Sequence, residues 1–133
     1  MTSPSLNFAL LVTGPCYGTQ SASDAYRFAR ALLAQGHSII SIFFYQEGVH
    51  NGNSFSLPAS DETDLHRAWI ALANEQQLSL ELCVAAALRR GQVDEESARQ
   101  ANLSGANVKA PFRLGGLGSM AQAVLTADRV VQF

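Results

Sequence analysis

Cys83 stands where a strand-like segment gives way to a helix-like one. Before it runs Leu78-Ser79-Leu80-Glu81-Leu82, and after it Val84-Ala85-Ala86-Ala87-Leu88-Arg89-Arg90. A thiol at that junction meets unpaired backbone N–H groups and the positive end of a helix dipole. Such surroundings favour the thiolate, the nucleophilic form. Arg89 and Arg90 stand about two helical turns away (~3.6 residues per turn), at the end of the helix that favours cations. The competing role for Cys83 is a small buried hydrophobe closing a strand, the usual fate of a free cysteine. Cys16 is the second thiol, set between Gly14 and Gly18 in a loop after the first apolar segment. The glycines would let the backbone approach a ligand, but Pro15 and Tyr17 stiffen the turn. The competing role for Cys16 is an incidental loop residue. Two cysteines make no disulfide framework and are expected as free thiols.

Other chemistries find less support. The loop Thr13-Gly14-Pro15-Cys16-Tyr17-Gly18-Thr19-Gln20 sits where a phosphate cradle would, yet Pro15 removes one N–H donor. Neither a dinucleotide fingerprint nor a P-loop motif is present. His37, His50 and His66 are scattered, no C-x-x-C occurs, and a zinc site is not expected. A cysteine–histidine pair would need a histidine brought to Cys83 by the fold; His50, in a long polar loop, is the candidate. The acids at 61–64 and 94–96 suit helix starts rather than acid–base pairs.

These residues must be positioned by the elements around them. Residues 6–12 form a continuously apolar run, the pattern of a strand covered on both faces. A helix is expected over 20–35, with Ala22, Ala25, Ala29, Leu32 and Leu33 on its apolar face and Gly36 as its stop. Residues 38–44 are β-branched and aromatic, a second buried strand. The polar segment 45–60 is long for a connection without structure, and such loops are often functional. Ser60 is expected to cap a second helix, with Asp61, Glu62 and Asp64 in its first turn and Leu65, Ala68, Trp69 and Leu72 inward. A third strand runs over 78–83. Asp94 is expected to cap a short helix reaching 102. Residues 110–114 form a fourth strand, which Pro111 confines to its start or to a sheet edge. A glycine turn leads into a helix whose stripe of Leu117, Met120, Ala121 and Val124 is expected in the core. Arg129–Phe133 closes the chain as a last strand. Strands alternating with helices imply a mainly parallel five-stranded sheet in a three-layer α/β/α sandwich. In such sheets chemistry collects at the carboxyl ends of the strands.

Composition removes further classes. The 133 residues suit one domain spanning 1–133. Nine basic and eleven acidic residues leave a net charge of -2, and Lys109 is the one lysine. A dedicated nucleic-acid binder, which needs a basic footprint, is not expected. Charged residues make up only 15% of the chain, which hints at surface buried against partners. Met1-Thr2-Ser3-Pro4-Ser5 lacks a basic leader, and the apolar run Phe8 to Val12 is too short for a signal or a span. A cytoplasmic location follows as the expectation.

Five blocks together resemble the DsrE-like sulfur-relay family. They are Thr13-Gly14-Pro15 with Tyr17-Gly18-Thr19-Gln20; Phe43-Phe44-Tyr45 with Glu47-Gly48-Val49; Pro58-Ala59-Ser60-Asp61-Glu62; Cys83 through Gly91; and Asp128-Arg129-Val130-Val131-Gln132-Phe133. The resemblance runs from the first strand to the C-terminus. It implies a parallel-sheet sandwich and a sulfurtransferase activity with Cys83 as the cysteine that carries persulfide. It implies TusB-like and TusC-like subunits in a heterohexamer, a TusA-like sulfur donor, a TusE-like acceptor, and 2-thiouridine at the tRNA wobble position as the end product. No metal or organic cofactor is implied, and Cys16 matches no active position. The alternatives are a DsrE-type subunit of a sulfur-oxidation complex, a scaffold subunit with Cys83 inert, and a flavodoxin-like nucleotide binder.

A relay subunit of this charge touches proteins rather than RNA. The isolated chain is expected to give no salt-dependent gel shift with tRNA; a shift that weakens with salt would reverse that reading.

Overall fold

A computed structural model describes residues 4–133. The N-terminal stretch noted for its lack of basic residues lies partly outside them, at Met1, Thr2 and Ser3. The strands are β1 (Asn7–Val12), β2 (Ser38–Phe44), β3 (Leu80–Cys83), β4 (Phe112–Gly115) and β5 (Arg129–Gln132). The helices are α1 (Ser21–Ala34), α2 (Leu65–Gln76), α3 (Val84–Arg89), α4 (Glu95–Gln100) and α5 (Leu117–Thr126). All five strands join one sheet in the order β4-β3-β2-β1-β5, and each neighbouring pair is parallel. Helices flank this sheet, as the alternating pattern predicts. β4 takes an edge, in keeping with Pro111 just before it.

Side chains alternate across the sheet, which fixes the two faces. Phe44 meets Trp69 of α2 edge to face, and Tyr26 of α1 meets the same indole. Phe44 pairs in register with Leu82, so Leu80 and Leu82 share the face covered by α1 and α2. Glu81 points the other way and accepts a hydrogen bond from Ser119 Oγ of α5. Cys83 shares the α5 face by the same alternation. The core lies mainly on the α1–α2 side, around Leu10, Val12, Ile42, Phe44, Trp69, Leu80 and Leu82. The chain changes faces after β4, beside Cys83, whose register partner is Gly115.

Three expectations are corrected. The second helix starts at Leu65, and its cap is Asp64, whose Oδ1 accepts from the Arg67 backbone N–H at 3.1 Å. Pro58 and the turn between Ala59 and Glu62 keep Ser60 outside the helix. The segment 45–60 is not structureless: Gln46–Gly52 forms a 3-10 helix with Gly48, Val49, Asn51 and Gly52 buried. Finally, α5 buries none of its residues. Leu117 and Ala121 are exposed, and Met120 and Val124 are half-buried. Beside Ser119 and Gln122 of α5 runs a groove whose strand side includes Ser41, Glu81 and Arg113.

Asp94 caps α4 as expected, accepting from the Ser97 backbone N–H at 2.9 Å. That bond holds its carboxyl below the ordinary carboxylate range. The cap therefore stabilises the fold above the unfolded pKa and is lost as pH falls through the lower folded value. Asp94→Asn should flatten acid destabilisation in urea titrations across that window. Asp64→Ala should cost about 1 kcal/mol, while Ser60→Ala should shift the urea midpoint negligibly.

Candidate functional site

Cys83 ends β3 and is itself the N-cap residue of α3, with no side-chain capping bond. The strand needs its apolar residues buried on both faces, so the thiol arrives at the carboxyl edge of the sheet already covered, at 2% exposure. α3 is only six residues long, and Ala86 and Ala87 are its buried positions. Leu82, the residue before the thiol, packs against Gly52 of the 3-10 segment.

That segment roofs the edge of the sheet through one buried amide. Asn51 Nδ2 donates to the carbonyls of Gly48 at 2.8 Å and Gly14 at 3.2 Å. Its Oδ1 accepts from Trp69 Nε1 at 3.1 Å, and its own carbonyl accepts from His66 Nδ1 at 2.8 Å. Gly48 lies directly on the Val12 carbonyl at the end of β1, where a Cβ would collide with backbone.

The sequence-nominated residues separate in space by role. His50 is held by Gln92 Nε2 at Nδ1 (2.9 Å) and by Glu47 Oε2 at Nε2 (3.1 Å), so both ring nitrogens are engaged and neither is offered to Cys83. Gln92 donates to Nδ1, which places the imidazole proton on Nε2. Glu47 also takes a 2.8 Å bond from Arg90 Nε, and that bond chiefly holds its carboxyl below the ordinary range. Arg90 thus ties the end of α3 to the roof rather than serving the thiol. Cys16 is half-buried, and its Sγ donates to the His50 carbonyl at 3.7 Å. Burial pushes its thiol pKa up. His37 accepts from the Leu6 N–H and packs against Phe8, a structural role. Among the described residues no three His, Cys, Asp or Glu side chains converge in a metal-binding group.

Glu81 is the residue that sequence reasoning passed over. It is 5% exposed, two positions before Cys83 on the same face. Its Oε1 accepts from Arg113 Nη2 at 2.7 Å and from Ser119 Oγ at 3.1 Å. Its other oxygen fills the space that Gly115 leaves by lacking a side chain. A carboxylate inside Leu80-Glu81-Leu82 was the available signal, since strands buried on both faces rarely admit an unpaired acid. Gln92 was equally silent in sequence: it is fully buried, and its Oε1 has no hydrogen-bond partner among the described residues.

The comparisons with known proteins agree with this architecture. A model of the DsrE/DsrF-like family matches residues 7–133. Sulfurtransferase TusD of Cronobacter sakazakii is 59% identical over 128 residues, covering 96% of this chain and 100% of that protein. Sulfurtransferase TusD of Yersinia pestis is also 59% identical over 128 residues, covering 96% and 98%. The crystal structure of the ychN protein from E. coli superposes with a TM-score of 0.77 at 22% identity, covering 96% of this chain and 99% of that one. That last likeness is one of fold. No helix among the described residues is long and apolar enough to cross a membrane.

Thiol labelling tests the geometry. In the native chain Cys83 should alkylate far more slowly than Cys16, because it is the more deeply covered. Cys16 labelling should rise with pH at a midpoint above that of the urea-unfolded chain, since burial disfavours its thiolate. A midpoint at or below the unfolded value would contradict the half-buried placement.

Proposed function

The chain belongs to the DsrE/DsrF-like family, and on that premise we propose that it is a sulfurtransferase carrying sulfur as a persulfide on Cys83. The observation that carries this reading is the position of Cys83. It ends β3 at the carboxyl edge of the sheet, next to the strand after which the chain changes faces. Open parallel sheets collect their chemistry at such a point. The name sulfurtransferase borne by relatives at 59% identity supports it.

The chemistry requires no change in overall oxidation state. Cys83 thiolate attacks the outer sulfur of a donor persulfide; the new S–S bond forms as the old one breaks, and the donor leaves as a thiolate. An acceptor thiolate then attacks the outer sulfur on Cys83 and releases it as thiolate. Each step is a thiol–disulfide exchange in form, governed by thiolate fraction, leaving group and access. The donor in this reading is TusA-like and the acceptor TusE-like, with thiolation of the tRNA wobble uridine as the end of the relay in the cytoplasm. The whole of 1–133 acts as one sulfur-relay domain. Exposed Leu117 and Leu125 on α5 and Val130 on the β5 edge support assembly with TusB-like and TusC-like subunits.

Burial of Cys83 also favours a second reading, a scaffold subunit whose thiol stays inert. Intact mass after exposure to inorganic polysulfide separates the two. One added sulfur atom on wild type and Cys16→Ser, absent from Cys83→Ser, is the expected result. If Cys83 stays unmodified both alone and with TusB-like and TusC-like subunits present, the scaffold reading replaces the carrier.

A further inference from the structure

His66 lies in the N-terminal turn of α2, one residue after its start, and is 9% exposed. Its ring stacks on Phe112 at 5.2 Å. Nδ1 lies 2.8 Å from the Asn51 carbonyl, which can only accept, so Nδ1 carries the proton. In the neutral ring Nε2 is then a bare acceptor, and it has no hydrogen-bond partner among the described residues. His66 lines a cavity of about 360 Å³ together with Ser60, Glu62, Asp64 and Arg67.

The acceptors in this cavity outnumber the cations available to them. Glu62 uses one oxygen on the Ala59 N–H at 3.0 Å. Asp64 uses Oδ1 for the helix cap. Arg67 reaches Asp64 Oδ2 only at 3.5 Å, with its side chain 84% exposed, a loose surface pair. The carboxylates oppose an anionic ligand. They also do not gather with His66 tightly enough to hold a metal ion. Acceptors spread over this volume suit a larger cation on a flexible stem. Beside the cavity lies a second hollow of about 340 Å³, which shares Leu57 and Glu62 and reaches Tyr17. Phe55, Leu57 and Tyr17 stand exposed around the pair. An acidic cavity with an apolar rim complements a basic side chain flanked by apolar residues.

We propose that the cavity at the start of α2 is a docking site for an arginine or lysine side chain on an apolar-flanked segment of a partner protein. His66 Nε2 and the Glu62 and Asp64 carboxylates accept its N–H groups, and Leu57 and Tyr17 receive the flanking residues. The crossover from β2 delivers the start of α2 to the carboxyl edge of the sheet, the same edge that ends in Cys83. A segment docked there brings its protein to that edge, whether or not Cys83 carries sulfur.

The test is a nitrogen NMR titration of the full chain labelled at histidine, with acetyl-Leu-Arg-Leu-amide and acetyl-Leu-Glu-Leu-amide as probes to millimolar concentration. His66 should show its proton on Nδ1. Its Nε2 resonance should move saturably with the arginine peptide and stay still with the glutamate peptide. Glu62→Gln should weaken the arginine peptide by about two- to fivefold, the scale of a surface charge pair. A proton on Nε2, no saturable shift with arginine, an equal response to glutamate, or a Glu62→Gln titration like wild type overturns the proposal.

Discussion

A carboxamide removed from water has to find partners for its N–H groups and its oxygen, or the fold carries the full cost of their desolvation. Asn51 is fully buried and finds them on three segments at once: the loop after β1, its own 3-10 turn, and Trp69 of α2. Its backbone carbonyl adds His66. Because Trp69 also packs edge to face against Phe44 and Tyr26, the amide is rigidly joined to the centre of the core. What looks like a polar excursion between β2 and α2 is thereby fixed as the roof of the sheet edge.

The consequence for Cys83 is cover. The roof rests on Leu82, α3 leaves directly from the thiol, and the partner strand ends at Gly115. A sulfur so enclosed exchanges only as fast as its cover admits another sulfur. A buried thiol in the isolated chain and a working carrier in an assembly are compatible if the partner chains alter that cover. Within this chain the apolar residues Leu117 and Leu125 of α5 and Val130 of β5 stay exposed.

Two acceptor-rich places stand apart on the fold, one buried and one at the surface. On the α5 face, Glu81 is neutralised by Arg113 and held by Ser119, so its charge is already answered from within the chain. On the α2 face, the one cation near the Glu62 and Asp64 carboxylates among the described residues is the outlying Arg67. The first is therefore a structural pair and the second a surface left incomplete. The rule that a charge removed from water requires a partner accounts for the first, while the carboxylates of the second keep their contact with water.

Local composition was enough to determine the strands, the parallel class of sheet, the cap at Asp94, and the placement of Cys83 at a strand-to-helix junction. Continuous apolar runs and capping residues act over a few neighbours, so they are written in the chain order itself. Strand order, the burial of Asn51 and Gln92, and the engagement of His50 by Gln92 and Glu47 were decided by tertiary structure. Each joins residues tens of positions apart, and nothing in a polar loop marks which amide will be enclosed. The stripe of α5 shows the converse. Its apolar period is real, but periodicity states only that a face needs covering; within this chain none of its residues is fully buried.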